Sequence, residues 1–323
     1  MSGLVRPITP DEVAAYHSAG VVLLRSVLDL KTVNALRRCI DQAVATLDQS
    51  KNGYDFAQLT HAYEAGDVRT LSEHDDGQHN VSAILDHVRA SGERILVDPV
   101  SGDRKGSFYG DTGVAARIKD FRRLVTRGAL TEIAAGLLGS NTVRFYDDQI
   151  FVKEPCTAGR TAYHQDAPYL NIDGYDCCVL WVPVDPVSLE HGAMRYLRAT
   201  HRNPTTYAAN VFVARTPLPG SEGDMLPDIE ANEGDYDIVH FDVEPGDVLV
   251  HNYKLIHGTG GNTSRYQVRR AASITYVGDD IRFRTRPGAP RRDHHRHDLG
   301  NGDPLTGPSF PIVWQRKVVP DAA

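Results

Sequence analysis

Apolar side chains recur every three or four residues through much of the first 140 positions, which predicts a helix-rich N-terminal part. Thr9, followed by a proline and by Glu12, is typical of a capped helix start. Helical spacing also covers 33–47 and 118–137. Between the first two predicted helices, the apolar run 20–24 predicts a short buried strand.

The stretch 50–115 is polar with weak periodicity, and we interpret it as a long variable segment that covers an active site. From residue 142 onward the pattern changes to short apolar and β-branched runs separated by turns, which predicts strands. A long loop is expected over 202–235. The predicted strands are 143–153, 161–168, 177–182, 193–197, 238–243, 248–250, 255–257 and 269–277.

A helical start followed by about eight strands with uneven loops predicts a mainly β, α+β fold, in which N-terminal helices brace a jelly roll. Neither an internal repeat nor a linker divides the chain, so we predict one domain over 1–323. Its parts are a helix-rich segment over about 1–140, a jelly-roll core over about 141–280 and a C-terminal segment over 281–323.

Composition narrows the classes of function. Of the 323 residues, 41% are hydrophobic and 24% are charged, which is ordinary for a globular protein. The net charge of −7 gives no reason to expect nucleic-acid binding, and we find no apolar stretch of the roughly 20 residues that a membrane span needs. Cys39, Cys156, Cys177 and Cys178 lack metal-binding spacing, so we expect packing roles and a cytoplasmic location.

The pattern His-x-Asp occurs three times, at His74–Asp76, His164–Asp166 and His240–Asp242, and its context separates the three. The first lies in a polar stretch that we interpret as a solvated loop. The third lies only seventeen residues before His257, and we interpret it as part of a surface-facing strand. His164 follows a strongly predicted strand, and residues two apart on an extended chain share a face, so the second pair can converge on one ion.

The second imidazole is predicted to be His257 rather than His251. The two would stand about 20 Å apart on a fully extended chain, so one ion cannot take both. We interpret 251–254 as a turn between two short strands, the second of which ends at His257 before the glycine-rich stretch 258–262. Two imidazoles and one carboxylate are the ligands that hold iron(II) on one face and leave its other positions open.

Arg269 and Arg270 follow His257 by twelve and thirteen residues. A guanidinium at this place suits a carboxylate co-substrate, because its planar fork bonds both oxygens at once. The two arginines face opposite sides of the predicted strand, so only one of them can serve.

Together these motifs make the chain resemble the phytanoyl-CoA dioxygenase family of iron(II)- and 2-oxoglutarate-dependent oxygenases. The resemblance implies a double-stranded β-helix, which is a cupin-like jelly roll, with iron at its open mouth. One departure is the stretch Arg198 to His201, where relatives often have Pro-Gly-Ser-His, and it bears on substrate preference more than on chemistry. The matching stretches run over most of the chain in the family's order, and they are 20–24, 163–169, 190–195, 245–249 and 257–271.

Carried over residue by residue, the resemblance makes His164, Asp166 and His257 the iron ligands and Arg269 the residue that binds the distal carboxylate of 2-oxoglutarate. Arg270 stays an alternative, because the interval after His257 is one residue longer than usual.

Three further residues resemble parts of the co-substrate pocket. Thr259 resembles a hydroxyl residue that assists the same carboxylate. Gln149 and Trp181 lie on strands that line this pocket in relatives, and an exposed glutamine and a core tryptophan are the alternatives.

The implied reaction uses O2 and 2-oxoglutarate, releases succinate and CO2, and attacks a C–H bond of a small-molecule substrate. Hydroxylation is the usual outcome in this family, although ring closure, desaturation and epimerisation use the same metal ligands. Asp166 argues against halogenation, because related halogenases have a small residue at this position.

A basic segment and two further residues bear on the identity of the substrate. A basic segment over 282–297 would attract an anionic small molecule if it folded over the mouth, and a solvated C-terminal surface or a subunit contact is the alternative. Its histidines are not expected to form a second metal site. Tyr146 and Arg195 are predicted substrate contacts, each with a structural role as the alternative, and the oligomeric state is left open.

Two other classes of function compete with an oxygenase. A cupin-like isomerase or lyase would use the same three ligands with a redox-inert metal, but it would not need Arg269. A non-catalytic binding module would usually have lost a ligand, and all three are present.

Overall fold

Two antiparallel sheets form the core of the computed structural model, which describes residues 4–65, 81–102 and 105–317. The strands are β1 (Val21–Leu24), β2 (Tyr54–Asp55), β3 (Phe108–Thr112), β4 (Thr142–Lys153), β5 (Thr161–His164), β6 (Ile172–Asp173), β7 (Cys177–Pro183), β8 (Met194–Leu197), β9 (Ile238–His240), β10 (Val248–Asn252), β11 (His257–Thr259), β12 (Arg269–Val277), β13 (Arg282–Phe283) and β14 (Ile312–Gln315).

Most of the helices precede the sheets in the sequence, as predicted. The first helix begins with the predicted capping box, in which Thr9 Oγ1 accepts from the backbone N–H of Glu12 while the Glu12 carboxylate accepts from that of Thr9. It ends at Gly20, whose φ of 79° is readily adopted by glycine. The helices are α1 (Pro10–Ala19), α2 (Leu30–Ala45), α3 (Ala57–Ala65), α4 (Val81–Ala90), α5 (Val114–Arg117), α6 (Lys119–Thr126) and α7 (Ala129–Leu138).

The strand order is that of a jelly-roll-like antiparallel fold. The larger sheet runs β1-β10-β7-β12-β4-β3-β2, with β14 also paired to β4. The smaller sheet runs β5-β11-β8-β9, and β13 and β6 form a separate pair. The predicted fold class is confirmed.

One face of the larger sheet is covered by helices. Leu36 and Ile40 of α2, Phe121 of α6 and Ile133 of α7 are fully buried in the same apolar cluster as Ile274 of β12. Burying each such side chain contributes about 1.5–3 kcal/mol relative to exposure. This shared core joins the helix-rich part to the strands, and the single domain over 1–323 stays a prediction.

The other face of the larger sheet contacts the smaller sheet. Trp181 of β7, Leu249 of β10 and Ala271 of β12 form an apolar cluster with Met194 and Tyr196 of β8. Successive side chains on a strand point to opposite faces, so each strand of the larger sheet supplies both clusters in alternation. The candidate site lies along this inner side.

The stretch 50–115 differs from its prediction as an irregular segment. Within its described part it contains α3, α4, β2 and β3, and the last two extend the larger sheet. These elements are short, so their apolar positions are too few to give a clear period in the sequence. His74 and Asp76 lie outside the described residues.

Two strand boundaries near the candidate site also differ from the predictions. β9 ends at His240, which is exposed as predicted, rather than at residue 243. β10 continues through His251 to Asn252, and His257 begins β11 instead of ending a strand. The turn therefore lies within 253–256.

The C-terminal segment packs onto the body of the protein, so the alternative of a solvated C-terminal surface is wrong for several of its residues. Arg286 donates to the backbone carbonyls of Leu170 and Ile172. Arg292 is largely buried, whereas its neighbour Arg291 keeps 70% of its side chain exposed. Contacts of this kind join residues far apart in the sequence and leave no local pattern.

Two predictions from composition can be compared with this structure. Cys39, Cys156, Cys177 and Cys178 are buried and unpaired, as expected for packing roles. Among the described helices, none has the length and apolarity that crossing a membrane requires.

Candidate metal centre

His164, Asp166 and His257 come together at the smaller sheet. His257 of β11 is the register partner of His164 on β5, and their ring centroids are 4.3 Å apart. The chain leaves the extended conformation after His164, and Asp166 has helical dihedrals at the start of a single 3-10 turn. The extended-chain reason for their proximity is therefore wrong, although the ligand atoms of the three residues do lie within 4.8 Å of one another.

Backbone carbonyls orient both imidazoles. His164 Nδ1 lies 2.8 Å from the carbonyl oxygen of Ala162, and His257 Nδ1 lies 2.9 Å from that of Leu255. An Nδ1–H that donates to a carbonyl leaves the Nε2 lone pair free for a metal. Burial lowers the pKa of His257 well below its ordinary value, which favours the neutral imidazole that a metal needs.

The distances fit one shared ion. Asp166 Oδ1 lies 3.7 Å from His164 Nε2 and 3.8 Å from His257 Nε2, which is too long for hydrogen bonds. Ligands about 2.1 Å from a common ion lie within roughly 4.2 Å of one another, so both of these distances are compatible with one shared coordination shell. Two imidazoles and one carboxylate also form the donor set of a mononuclear non-haem iron site.

His251 contacts the carboxylate instead of replacing His257. Its Nε2 lies 3.1 Å from Asp166 Oδ2, and its ring centroid is 4.4 Å from that of His257. The large separation expected for an extended chain is wrong, because the turn over 253–256 brings the two imidazoles together. Burial alone would raise the pKa of Asp166, but His257, together with His164 and His251, holds it well below its usual value.

The two adjacent arginines face opposite sides of β12. Arg269 is only 1% exposed, and its guanidinium carbon lies 5.6 Å from the ring centroid of Trp181. It donates to the carbonyl of Gly192, while its Nε has no partner in the described part of the chain. Burial lowers the pKa of Arg269 to about 10, so the guanidinium is still charged at neutral pH.

Arg270, by contrast, lies on the helix-covered side. It donates to both carboxylate oxygens of Asp185 and to Asp41 on α2. These bonds raise the pKa of Arg270, and they occupy its guanidinium, so it has a structural role. Of the two arginines, Arg269 is therefore the one turned toward the interior.

Lys153 was not among the residues predicted for the site, although it lies on the same face of β4 as Gln149. It is fully buried at the end of β4, and its Nζ donates to Thr259 Oγ1 at 2.9 Å. Thr259 is two residues beyond His257 on β11, so the predicted hydroxyl and this lysine form one polar group beside Arg269. The alternation along β4 was the signal that could have found Lys153.

Aromatic rings line the space next to His164. Gln149 points to the same side, where its amide donates to Tyr54 Oη at 2.8 Å. Phe212, from the long loop, lies 4.9 Å from the His164 ring and stacks on Phe151 with centroids 5.7 Å apart. Phe212 has a φ of 73°, which costs about 1–3 kcal/mol for a residue with a side chain. The sequence contains no signal for this placement.

The two predicted substrate contacts have other partners. Tyr146 is buried between His295 and Phe310, and its hydroxyl accepts from the backbone N–H of Asn171. Arg195 forms a two-point ion pair with Glu233. These contacts favour the structural alternative for both residues.

A second cluster contains Asp147, His294 and His295, whose ligand atoms also lie within 4.8 Å of one another. Arg292 donates to Asp147 Oδ2, and His294 Nε2 lies 2.8 Å from Asp147 Oδ1. His295 Nε2 lies 2.8 Å from the carbonyl oxygen of Tyr146. Both carboxylate oxygens and both Nε2 atoms are therefore already engaged within the protein.

Comparison with known sequences gives one family. The model described as "Phytanoyl-CoA dioxygenase (PhyH)" matches residues 16–271. Phytanoyl-CoA dioxygenase of Arabidopsis thaliana is 20% identical over 289 residues, covering 86% of this chain and 92% of that protein. Phytanoyl-CoA dioxygenase domain-containing protein 1 of Danio rerio is 25% identical over 275 residues, covering 80% of this chain and 86% of that protein.

Solved structures share the fold. The α-ketoglutarate-dependent carbocyclase SnoK from nogalamycin biosynthesis has a TM-score of 0.62 at 21% identity, covering 97% of this chain and all of that one. The epimerase SnoN, solved with Fe3+, α-ketoglutarate and nogalamycin RO, has a TM-score of 0.60 at 19% identity over 94% of this chain and 98% of that one. EctD from S. alaskensis, solved with 2-oxoglutarate and 5-hydroxyectoine, has a TM-score of 0.57 at 16% identity over 93% of this chain and 86% of that one.

Proposed function

The chain belongs to the phytanoyl-CoA dioxygenase family, and from that premise we propose that it is an iron(II)- and 2-oxoglutarate-dependent dioxygenase that hydroxylates an unactivated C–H bond of a small molecule. The observation that carries the proposal is a three-ligand group, His164, Asp166 and His257, on the same inner side as a buried arginine that has no acidic partner among the described residues. A redox-inert cupin would need the ligands but not the arginine.

Bound iron(II) with 2-oxoglutarate would supply oxygen activation, with release of succinate and CO2. The protein's part is to hold the reactants in position. His164, Asp166 and His257 would hold the metal from one side, with both imidazoles fixed by backbone carbonyls and Asp166 fixed by His251. Ligands oriented in this way do not have to reorganise when the metal binds.

Co-substrate binding is assigned to residues of β7, β11 and β12. Arg269 and Thr259 would bind the distal carboxylate, Trp181 would pack against the Arg269 guanidinium, and Gln149 would line the same pocket from β4. A charged guanidinium in a buried setting binds a carboxylate more strongly than it would in water.

The substrate would enter beside the aromatic rings of Phe212 and Tyr169, which contact His164, and of Phe151, which stacks on Phe212. Apolar walls with a few polar groups are typical of small-molecule sites. Arg292 of the basic C-terminal segment donates to the carbonyl of Tyr169, which places it beside this wall. An anionic substrate stays a prediction. Tyr146 and Arg195 stay predictions as substrate contacts.

Ring closure and epimerisation are the alternative outcomes of the same chemistry. SnoK is named a carbocyclase and SnoN an epimerase, and both share this fold. Unpaired, buried cysteines fit a reducing compartment, so we keep the cytoplasm as the proposed location.

The first test is the visible charge-transfer band of the iron(II)–2-oxoglutarate chelate. Iron(II) and then 2-oxoglutarate are added without oxygen to the wild type, to Arg269→Ala and to Arg270→Ala. We expect a band in the wild type, at least about ten-fold weaker 2-oxoglutarate binding in Arg269→Ala, and little change in Arg270→Ala.

Absence of the band in folded, iron-loaded wild-type protein would contradict the proposal. The redox-inert cupin would then become the better explanation. If the band forms, succinate release across a panel of small molecules identifies the substrate, and product analysis separates hydroxylation from ring closure or epimerisation.

A further inference from the structure

The ammonium of Lys153 is surrounded by oxygen atoms in the protein interior. Its Nζ lies 2.9 Å from the carbonyl oxygen of Gly159, 2.6 Å from that of Gly260 and 2.9 Å from Thr259 Oγ1. An ammonium has three hydrogens and no lone pair, so all three are donated to these oxygens. Lys153 therefore has no hydrogen left for a ligand.

The bond from Lys153 determines what the Thr259 hydroxyl can do. A hydroxyl carries one hydrogen and can accept through its lone pairs, and here the oxygen accepts from Nζ. Its own hydrogen must point elsewhere, and within the described ranges we find no acceptor for it. Thr259 therefore presents a buried donor whose direction is set by Lys153.

Arg269 presents a second donor beside it. The register of β12 on β4 pairs Arg269 with Lys153, and Arg269 Nε lacks a partner in the part of the chain that the structure describes. Burial and the nearby charge of Arg269 lower the pKa of Lys153 well below its ordinary value, and a carboxylate bound beside Arg269 would favour the charged ammonium that donates three hydrogens. Among the described residues neither cation forms an ion pair with a carboxylate, so a bound anion would offset an otherwise costly arrangement.

We propose that Lys153 is a positioning residue for the co-substrate: it orients the Thr259 hydroxyl so that this hydroxyl and Arg269 together bind the distal carboxylate of 2-oxoglutarate. The inference rests on the proposed function, because that function supplies the carboxylate. Lys153 acts through Thr259 and does not touch the co-substrate.

A purely structural lysine would make different predictions. If Lys153 only tied the loops at Gly159 and Gly260 together, its loss would lower stability and weaken every ligand of the site alike. A positioning role is specific to ligands that carry the distal carboxylate. The comparison of two 2-oxo acids separates these explanations.

The experiment measures dissociation constants of 2-oxoglutarate and 2-oxopentanoate on iron(II)-loaded protein without oxygen. 2-Oxopentanoate has the same five carbons but a methyl group in place of the distal carboxylate. In Lys153→Met we expect the Kd of 2-oxoglutarate to rise about ten-fold or more, while that of 2-oxopentanoate changes by less than about two-fold. The affinity for iron(II) should be unchanged.

Lys254→Met is the matched control, because Lys254 is a partly buried lysine near Asp173 and over the ring of Tyr175. It should leave both dissociation constants unchanged. If Lys153→Met fails to fold, Lys153→Gln replaces it. Its shorter side chain keeps a neutral hydrogen-bond donor near this position, so a smaller loss that is again selective for 2-oxoglutarate is expected. In a Thr259→Val background, Lys153→Met should have a smaller effect than in the wild type.

Equal weakening of both 2-oxo acids would overturn the proposal in favour of the structural lysine. No change in either constant would overturn it as well. A wild type that binds iron(II) but neither 2-oxo acid would instead contradict the proposed function itself, so the two failures are distinguishable.

Discussion

Two clusters in this molecule each bring one aspartate and two histidines within 4.8 Å of one another, yet their hydrogen bonds are arranged in opposite ways. In the cluster of His164, Asp166 and His257, the Nδ1 atoms bond to backbone carbonyls and both Nε2 atoms face the carboxylate without bonding to it. In the cluster around Asp147, the Nε2 atoms are the ones engaged.

Arg292 accounts for much of the difference. It donates to Asp147, whereas none of the described arginine or lysine side chains bonds to Asp166. Burial alone would raise the pKa of Asp147, but Arg292 and His294 hold it well below its usual range. A metal also needs an unoccupied carboxylate oxygen. Asp166 keeps Oδ1 without a hydrogen bond among the described residues, whereas both oxygens of Asp147 are occupied.

The largest expected effect is a difference in iron(II) affinity between variants of the two aspartates. Asp166→Asn should lower the affinity for iron(II) by more than about 100-fold, because it removes a charged ligand. Asp147→Asn should leave that affinity nearly unchanged. Competition with a chromophoric chelator measures both, and iron loss in Asp147→Asn would show that the second cluster takes part in metal binding.

The next prediction concerns stability. Arg292→Met leaves Asp147 buried without its main partner, so the free energy of unfolding should fall by about 3 kcal/mol. Arg291→Met is the neighbouring control, and its exposed side chain should cost less than about 0.5 kcal/mol. Urea denaturation gives both values. An Arg292 variant as stable as the control would refute the ion-pair interpretation of this cluster.

A third prediction uses pH to test the second cluster. Burial lowers the pKa of His295 to about 4, so the stability that it contributes is present above its ordinary pKa of 6.5 and is lost as pH falls toward 4. By pH 5 this loss is about 2 kcal/mol. His295→Asn retains a donor toward the carbonyl of Tyr146 but does not titrate.

Neighbouring groups also titrate, so the measurement is the difference between wild type and His295→Asn. Asp148, whose pKa is raised to about 7, changes stability with the opposite sign over the same pH range. Asp147 titrates below this range, and Arg292 and the raised pKa of His294 keep those groups charged within it. The cost of the substitution should shrink by about 2 kcal/mol from pH 6.5 to pH 5, and a constant cost would contradict the prediction.

The smallest expected effect is on iron(II) affinity, when a residue beside the cluster of His164, Asp166 and His257 is replaced. His251→Leu removes the donor to Asp166 Oδ2, so iron(II) should bind about ten-fold more weakly. His240→Leu, on an exposed strand, is the control and should have no effect. Equal iron affinities in the two variants would mean that the turn over 253–256, and not His251, holds the carboxylate in place.

Much of the fold was predictable because it rests on local periodicity. The capping box at Thr9 and Glu12, the apolar stripe of α2 and the alternating run of β4 are all visible in the sequence. The helices within 57–90 were not predicted, because they are short and their apolar faces pack against distant loop residues such as Val211 and Val213.

The candidate site was predictable in its residue types but not in its geometry. Strand alternation indicated that Arg269 and Arg270 face opposite sides, yet it could not indicate which side is the interior. The proximity of His251 to His257 was missed, because their separation was estimated for a fully extended chain although a turn lies between them. Lys153 was not identified, although alternation along β4 places it on the same face as Gln149. Phe212 could not be identified, because it meets His164 only through a contact between distant parts of the chain.

The sequence by itself determined the antiparallel strands, the capped helices and the order of the motifs His164–Asp166, His257 and Arg269, because these depend on neighbouring residues. Only the tertiary structure decided which of two similar Asp–His clusters keeps a carboxylate oxygen available for a metal. In the other cluster an arginine 145 residues away from the aspartate donates to its carboxylate. That choice depends on which side chains meet after the sheets close, and such contacts leave no period in the sequence.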